Sequence, residues 1–245
     1  MDMQSISVLV RKLSTLGPLT DAERTLLDGF TVHVREIGRD RDLVREGDRP
    51  THCILLLAGF ACRYRTLADG RRQIVSFHIP GDFLDLQGFL LARLDHSIAA
   101  LTPSKIAVIP HTVITEMIEH PNLTRLLWRD TVIDGAIHRE WVVNLGRRTA
   151  YQRIAHVLCE LVTRLQAIGL ATKGACDLPL TQGELADATG LSTVHVNRVI
   201  QELRRDGLIE LRGRTFTALN WDGLKNAAEF DPSYLQINSR RDHAA

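Results

Sequence analysis

The sequence predicts an α+β chain built from a β-sandwich or jelly-roll barrel, one long helix, and two short helices followed by a hairpin. Three observations carry that expectation. Gly47, Gly59, Gly70 and Gly81 recur at intervals of 12, 11 and 11 residues among short apolar runs, the spacing of strands of five or six residues joined by tight turns. Apolar residues then recur every three or four positions from Leu123 to Leu145, the period of a helix. Near the C-terminus, two helix-length segments, each with its own start signal, flank Gly190.

Taken in order, residues 1–30 read as short helices, with a capping box at Thr20 and Glu23. The runs Cys53–Leu57, Phe60–Tyr64, Ile74–Ile79 and Ile106–Ile109 read as strands. His111–Glu119 reads as one helical segment, and Pro121 suits the first turn of a longer one. That helix runs to about Leu145, and its apolar positions are too widely spread for one narrow stripe. It is expected to cover the barrel with one side and meet a second copy of itself with the other, through Leu126, Ile133, Ile137 and Trp141; the alternative is a helix buried within one subunit. Gly146-Arg-Arg-Thr149 reads as a hinge, Ala150–Ile168 as a helix, and the segment to Pro179 as irregular. The expected domains are therefore 1–120, the long helix 121–145, the hinge 146–149, the C-terminal module 150–222, and a tail 223–245 with no assigned role.

Composition bounds the function. The chain has 245 residues, 44% hydrophobic and 24% charged, with a formal net charge of +1. That balance supports a buried core and argues against coating nucleic acid or membrane by bulk charge. The four cysteines, Cys53, Cys62, Cys159 and Cys176, form no C-x-x-C pair, so reduced thiols in a cytoplasmic protein are expected. Cys53 and Cys62 fall on neighbouring expected strands, open to two readings: a redox pair, or small core residues. No secretory signal pattern or membrane-length apolar run is present in the sequence.

The most informative stretch starts at Leu180. Thr181 can cap a helix with Glu184 as its box partner, and Gly190 suits its left-handed end. Ser192 can cap a second helix that runs from Thr193 to about Asp206 and stops at Gly207. Val196, Val199, Ile200 and Leu203 form its buried stripe, leaving Val194, Arg198, Gln201 and Arg205 roughly opposite. Thr193, His195 and Asn197 sit in the first turns, and Gln182 opens the preceding helix. Arginine and the carboxamides can make paired hydrogen bonds to guanine and adenine edges, and valine can touch a thymine methyl. Leu208–Leu211 and Thr215–Leu219 can pair as a hairpin whose tip carries Arg212 and Arg214, aimed at phosphates. Helix, glycine turn, helix and hairpin make a winged helix-turn-helix. From Gly146 to Asp222 there are ten Arg or Lys against eight Asp or Glu, so the basic footprint is local and a dimer would bind far better than one module.

The order of parts resembles the CRP/FNR superfamily of bacterial transcription regulators. The likeness is carried by Gly47-Asp48, Ile79-Pro-Gly-Asp-Phe83, Tyr151-Gln-Arg-Ile-Ala155 and Leu180 through Leu208. The resemblance implies a cyclic-nucleotide-binding-type β-roll, a homodimer along the long helix, and a near-palindromic double-stranded DNA site, with RNA polymerase as a further candidate partner. It places Ser192, Thr193, Val194 and Arg198 where members contact bases, although Val194 replaces the acidic residue that many carry there. Nucleotide-binding members have a Gly-Glu-Leu turn followed by Arg-Ser or Arg-Ala. Here the matching stretches read Leu84-Asp-Leu-Gln-Gly88 and Asp95-His-Ser-Ile98, so cyclic AMP is not expected to bind well. An iron–sulfur cluster and haem are not expected either, since no cysteine precedes Cys53 and no Cys-x-His pairing occurs. The resemblance places an effector pocket near Arg72, Gln87, His96, Ser97, His138 and Arg139.

Two rival readings remain. A metal-dependent barrel enzyme would need a His-x-His pair, and none of the ten histidines makes one. An effector-binding dimer without DNA function would not need the polar face of the Thr193–Arg205 helix.

Overall fold

The structure, a computed structural model, describes residues 7–30 and 32–237. The chain divides into two compact units, one of residues up to 65 with 76–135, the other of residues 66–75 with 136–237.

In the first unit, α1 (Ser7–Leu16) buries Val8, Leu9, Leu13 and Leu16. The Thr20 hydroxyl caps α2 (Asp21–Gly29) by accepting from the Glu23 N–H, while the Glu23 carboxylate accepts from the Thr20 N–H. Two antiparallel sheets follow. One is ordered β1 (His33–Ile37), β7 (Ser104–Pro110), β3 (His52–Ala58); the other is ordered β2 (Arg41–Val44), β6 (Ser97–Ala100), β4 (Ala61–Thr66), β5 (Arg72–His78). Val44, Ile54, Leu56, Ala61, Leu84, Leu94, Ile98 and Ile106 form one buried cluster with members from both sheets, as a jelly roll requires. The strands β1, β2 and β6 have no counterpart in the sequence reading, and Cys53 and Cys62 lie in different sheets rather than side by side. Both thiols are buried, and burial pushes the Cys53 thiol up to about 12.

All four spaced glycines adopt positive φ. Gly59 cannot be replaced for a second reason: a Cβ there would collide with the Ser104 hydroxyl and come within 2.9 Å of the Pro103 carbonyl. After α3 (His111–Ile118), the helix α4 (Pro121–Arg147) is one uninterrupted rod of 27 residues. The break expected at 146–149 is shorter than the glycine suggests, because a single helical Gly costs only about 1 kcal/mol. Only Arg148 and Thr149 separate α4 from the next helix. Lys12 of α1 ties the early part of this unit together, lying 2.7 Å from Asp82 and 3.5 Å from Asp130 of α4.

The second unit is organised around α5 (Ala150–Ala167), which begins with a capping box of Thr149 and Gln152. The expected irregular segment contains β8 (Ala171–Thr172) and β9 (Ala175–Asp177). They join β10 (Ile209–Arg212) and β11 (Thr215–Ala218) in a sheet ordered β10-β11-β9-β8. Between them come α6 (Gln182–Thr189) and α7 (Thr193–Arg205). Past the hairpin, Asn220 caps α8 (Trp221–Ala228), and a short 3-10 turn, Pro232–Leu235, buries Leu235. This turn brings the Tyr234 hydroxyl to donate to Glu160 of α5 at 2.9 Å, and Trp141 Nε1 donates to the same carboxylate oxygen at 3.0 Å.

Candidate nucleic-acid interface

The helix pair is set by local chemistry at each end. Thr181 Oγ1 accepts from the Glu184 N–H at 3.1 Å, and Glu184 Oε2 accepts from the Thr181 N–H at 2.6 Å. Gly190 closes α6 with φ 66° and ψ 28°, a left-handed conformation that glycine takes without penalty. Ser192 Oγ then accepts from the His195 N–H at 3.2 Å and starts α7. These three devices occur within twelve residues, and together they hold the turn between the helices.

Packing fixes which face of α7 is free. Val196, Val199, Ile200 and Leu203 are buried. Thr193, Val194, Asn197, Arg198, Gln201 and Arg205 are exposed, while His195 is half-buried. Val194 stands out, with 79% of its surface in water. Asn197 Nδ2 donates to Gln182 Oε1 at 3.2 Å, so the two carboxamides brace each other across the turn. Arg198 and Arg205 form no ion pair among the described residues. Arg204, which sequence reasoning missed, is exposed beside Gln201, with 3.5 Å from its Nη1 to Gln201 Oε1. Its signal was available, since it lies at the basic C-terminal turn of α7.

The hairpin tip does not present bare charge. Arg212 lies 2.8 Å from Glu210. Arg214 grips both oxygens of Asp177 on β9, at 2.9 and 3.3 Å. Behind the helix pair, Arg153 of α5 donates to the Thr189 carbonyl at 2.6 Å and to the Leu145 and Arg148 carbonyls at 2.9 and 3.2 Å. It thereby satisfies carbonyls at the ends of α6 and α4 that have no helical partner. Tyr151 donates to Asp206, just past the end of α7, at 2.6 Å.

Two family models match this chain: a Crp-like helix-turn-helix domain over residues 152–227 and a cyclic nucleotide-binding domain over 34–120. The transcriptional activator protein FnrL of Cereibacter sphaeroides is 31% identical over 186 residues, covering 74% of each chain. The chain belongs to the CRP/FNR family. The nitrogen fixation regulation protein FixK of Bradyrhizobium diazoefficiens is 36% identical over 172 residues, covering 68% of this chain and 69% of that one. The solved structure of FixK2 from Bradyrhizobium japonicum has the same fold, with a TM-score of 0.73 at 24% identity over 81% of this chain and 98% of that one. CRP/FNR members are transcription regulators rather than enzymes. No helix among the described residues is long and apolar enough to cross a membrane.

The residues expected to line an effector pocket are only partly brought together. The structure brings Gln87, His96 and Asp95 together: the Gln87 amide lies 3.2 Å from His96 Nε2, and Asp95 lies 2.7 Å from His96 Nδ1. Burial, then the charge of Arg63, holds the His96 pKa below its ordinary value. Ser97 Oγ accepts from the Glu46 N–H. Arg63, missed from sequence, is the buried cation of this region; it donates to Asp134 of α4 and to the Leu84 carbonyl, each at 3.0 Å. Asp85 turns inward to accept from the Ile54 N–H at 2.6 Å, and burial drives it up to about 7. Arg72 engages Asp187 of α6 at 2.8 Å. His138 is half-buried and Arg139 exposed on the later part of α4.

The α4 residues expected to meet a partner copy lie inward in the single chain. Leu126, Ile133, Ile137 and Trp141 are buried within the chain, because they supply the helix's inward side. The apolar side left open carries Trp128 at 71%, Val132 at 55% and Val142 at 70% exposure. With Arg139, these residues fall at i, i+4, i+11 and i+14, a continuous seam along one helix.

Proposed function

We propose that this CRP/FNR regulator acts in the cytoplasm as a homodimer on a near-palindromic DNA site, placing α7 of each copy in the major groove. The observation that carries the reading is the exposed face of α7, with Val194, Arg198, Gln201 and Arg205 set over a fully buried stripe by caps at both ends of the turn. Arg198 is the strongest base reader, since an uncommitted guanidinium can bond guanine O6 and N7 together. Thr193, Asn197 and Gln201 flank it, and Thr181, Gln182, Arg205, Arg212 and Arg214 hold the backbone.

The partner copy meets the seam of Trp128, Val132 and Val142. Two recognition helices then read half-sites about 34 Å apart. The β-roll serves as the signal-responsive part, acting through α4 on the helix-turn-helix. Its residues do not fit a cyclic phosphate, which needs an uncommitted cation. Arg63 is already spent on Asp134 and Leu84, Asp85 faces inward, and His96 is kept neutral. RNA polymerase is the expected partner where the regulator activates.

The test is selection of genomic fragments by the purified full chain at about 0.1 M salt. The expected result is a two-fold-symmetric consensus with half-site centres about 10 bp apart. Recovery of fragments no better than random, from both purified protein and native cell extract, would refute the DNA-reading role.

A further inference from the structure

We propose that Val194 reads the 5-methyl group of a pyrimidine in the operator, and that this methyl lies within about two base pairs of the guanine engaged by Arg198. The proposal rests on α7 being the recognition helix and deepens it to the chemistry of one base.

Val194 is the odd member of its helix. The other apolar residues of α7 are buried, whereas Val194 keeps 79% of its surface in water. An isolated exposed valine is ordinary on a protein surface, but this one is placed. It lies in the first turn, two residues after the Ser192 cap, on the same face as Arg198. Four residues along a helix is a rise of about 6 Å, close to two base steps. A β-branched side chain in a helix is held to essentially one χ1 rotamer, so the positions of its methyl groups are set before DNA arrives.

The chemistry then narrows what Val194 can recognise. Valine neither donates nor accepts a hydrogen bond, so it cannot distinguish the O4 of thymine from the N4 of cytosine. The one apolar feature in the major groove is the C5 methyl. A carboxylate at this position would accept from cytosine N4 and select cytosine; valine removes that preference and rewards a methyl. Its polar neighbours do not change the outcome. Asn197 is braced by Gln182, and Arg198 reaches from the next turn as an uncommitted cation, so each can bond base edges while Val194 packs against the methyl between them. Thymine is the ordinary source of that methyl, and 5-methylcytosine carries the same group.

The test uses the full chain and the operator recovered by fragment selection. Each half-site thymine is replaced singly by uracil, which deletes only the methyl, and then by cytosine and by 5-methylcytosine. Burial of one methyl corresponds to about fourfold in affinity. One thymine position should therefore lose about fourfold on uracil substitution, and roughly fifteenfold when both half-sites are changed. 5-Methylcytosine at that position should bind better than cytosine. In Val194→Ala the preference for thymine over uracil should vanish, and Val194→Glu should shift preference toward cytosine. Tolerance of uracil within twofold at every thymine would overturn the proposal, as would a thymine preference that survives in Val194→Ala. Failure of the underlying reading looks different: the chain would not prefer its selected sites over random DNA at all.

Discussion

Lowering the pH from 7 to 5 should weaken the second unit through one residue, His156 of α5. Its imidazole is fully buried. The groups facing it come from three elements. Tyr234 lies 3.2 Å from Nε2, Phe230 packs edge-on at 5.3 Å, and Glu140 of α4 lies 3.8 Å away. Glu140 cannot neutralise an imidazolium, because Arg148 already holds it at 2.6 Å. Burial first, then the Arg148 charge, lowers the His156 pKa from 6.5 to about 3. Between those values the unfolded chain binds a proton that the folded chain refuses, so stability falls as pH falls through this window. At about 1.4 kcal/mol per unit, roughly 2 kcal/mol is lost by pH 5, and none above pH 6.5. Glu160, one helical turn away, is raised by burial and acts in the opposite sense, so the comparison must isolate His156. Urea unfolding of the chain and of His156→Gln, followed by tryptophan fluorescence, does this, since Trp141 is bonded within the same cluster. The gap in stability between the two proteins should change by about 2 kcal/mol from pH 7 to pH 5. Parallel pH profiles would show that the imidazole is already charged in the fold and would refute the reasoning.

Other outcomes follow from the same geometry. Arg198→Ala should weaken binding to the selected operator by about 1–3 kcal/mol while leaving thermal unfolding unchanged, because the side chain makes no ion pair among the described residues; equal losses on random DNA would place it on the backbone instead. Val132→Asp puts a carboxylate in the open seam of α4 and should shift sedimentation from dimer to monomer at micromolar protein, with loss of operator binding; an unchanged dimer would mean the copies meet elsewhere. Calorimetric titration with cyclic AMP should give a dissociation constant above about 10 μM, and tighter binding would show that Arg63 leaves Asp134 for the phosphate.

What was legible in the sequence was what is encoded locally. Thr181 with Glu184, Gly190, and Ser192 specify the two helices within a dozen residues, and the structure places their ends at Gln182, Thr189, Thr193 and Arg205. The spaced glycines likewise mark real turns. Long-range choices were not legible. Both sides of α4 are apolar, and only its packing within the chain decides that Ile133 and Trp141 face inward while Trp128 and Val142 remain open. The pairing of Arg63 with Asp134 spans 71 residues, and the wing's third strand, through Phe216 and Cys176, joins a segment too short and glycine-rich to read as a strand. The helix Trp221–Ala228 was within reach, because Asn220 is an ordinary cap for it.

The paired arginines of the wing bear on how such a regulator moves through a genome. In the proposed complex each would exchange a carboxylate for a phosphate; both pairs are exposed, so the exchange costs little, and the phosphates are the same on any DNA. The wing would then hold the operator and random DNA alike. In that reading the base edges under α7 alone separate right sites from wrong ones, and a change that freed Arg212 or Arg214 would strengthen binding to both by a similar factor.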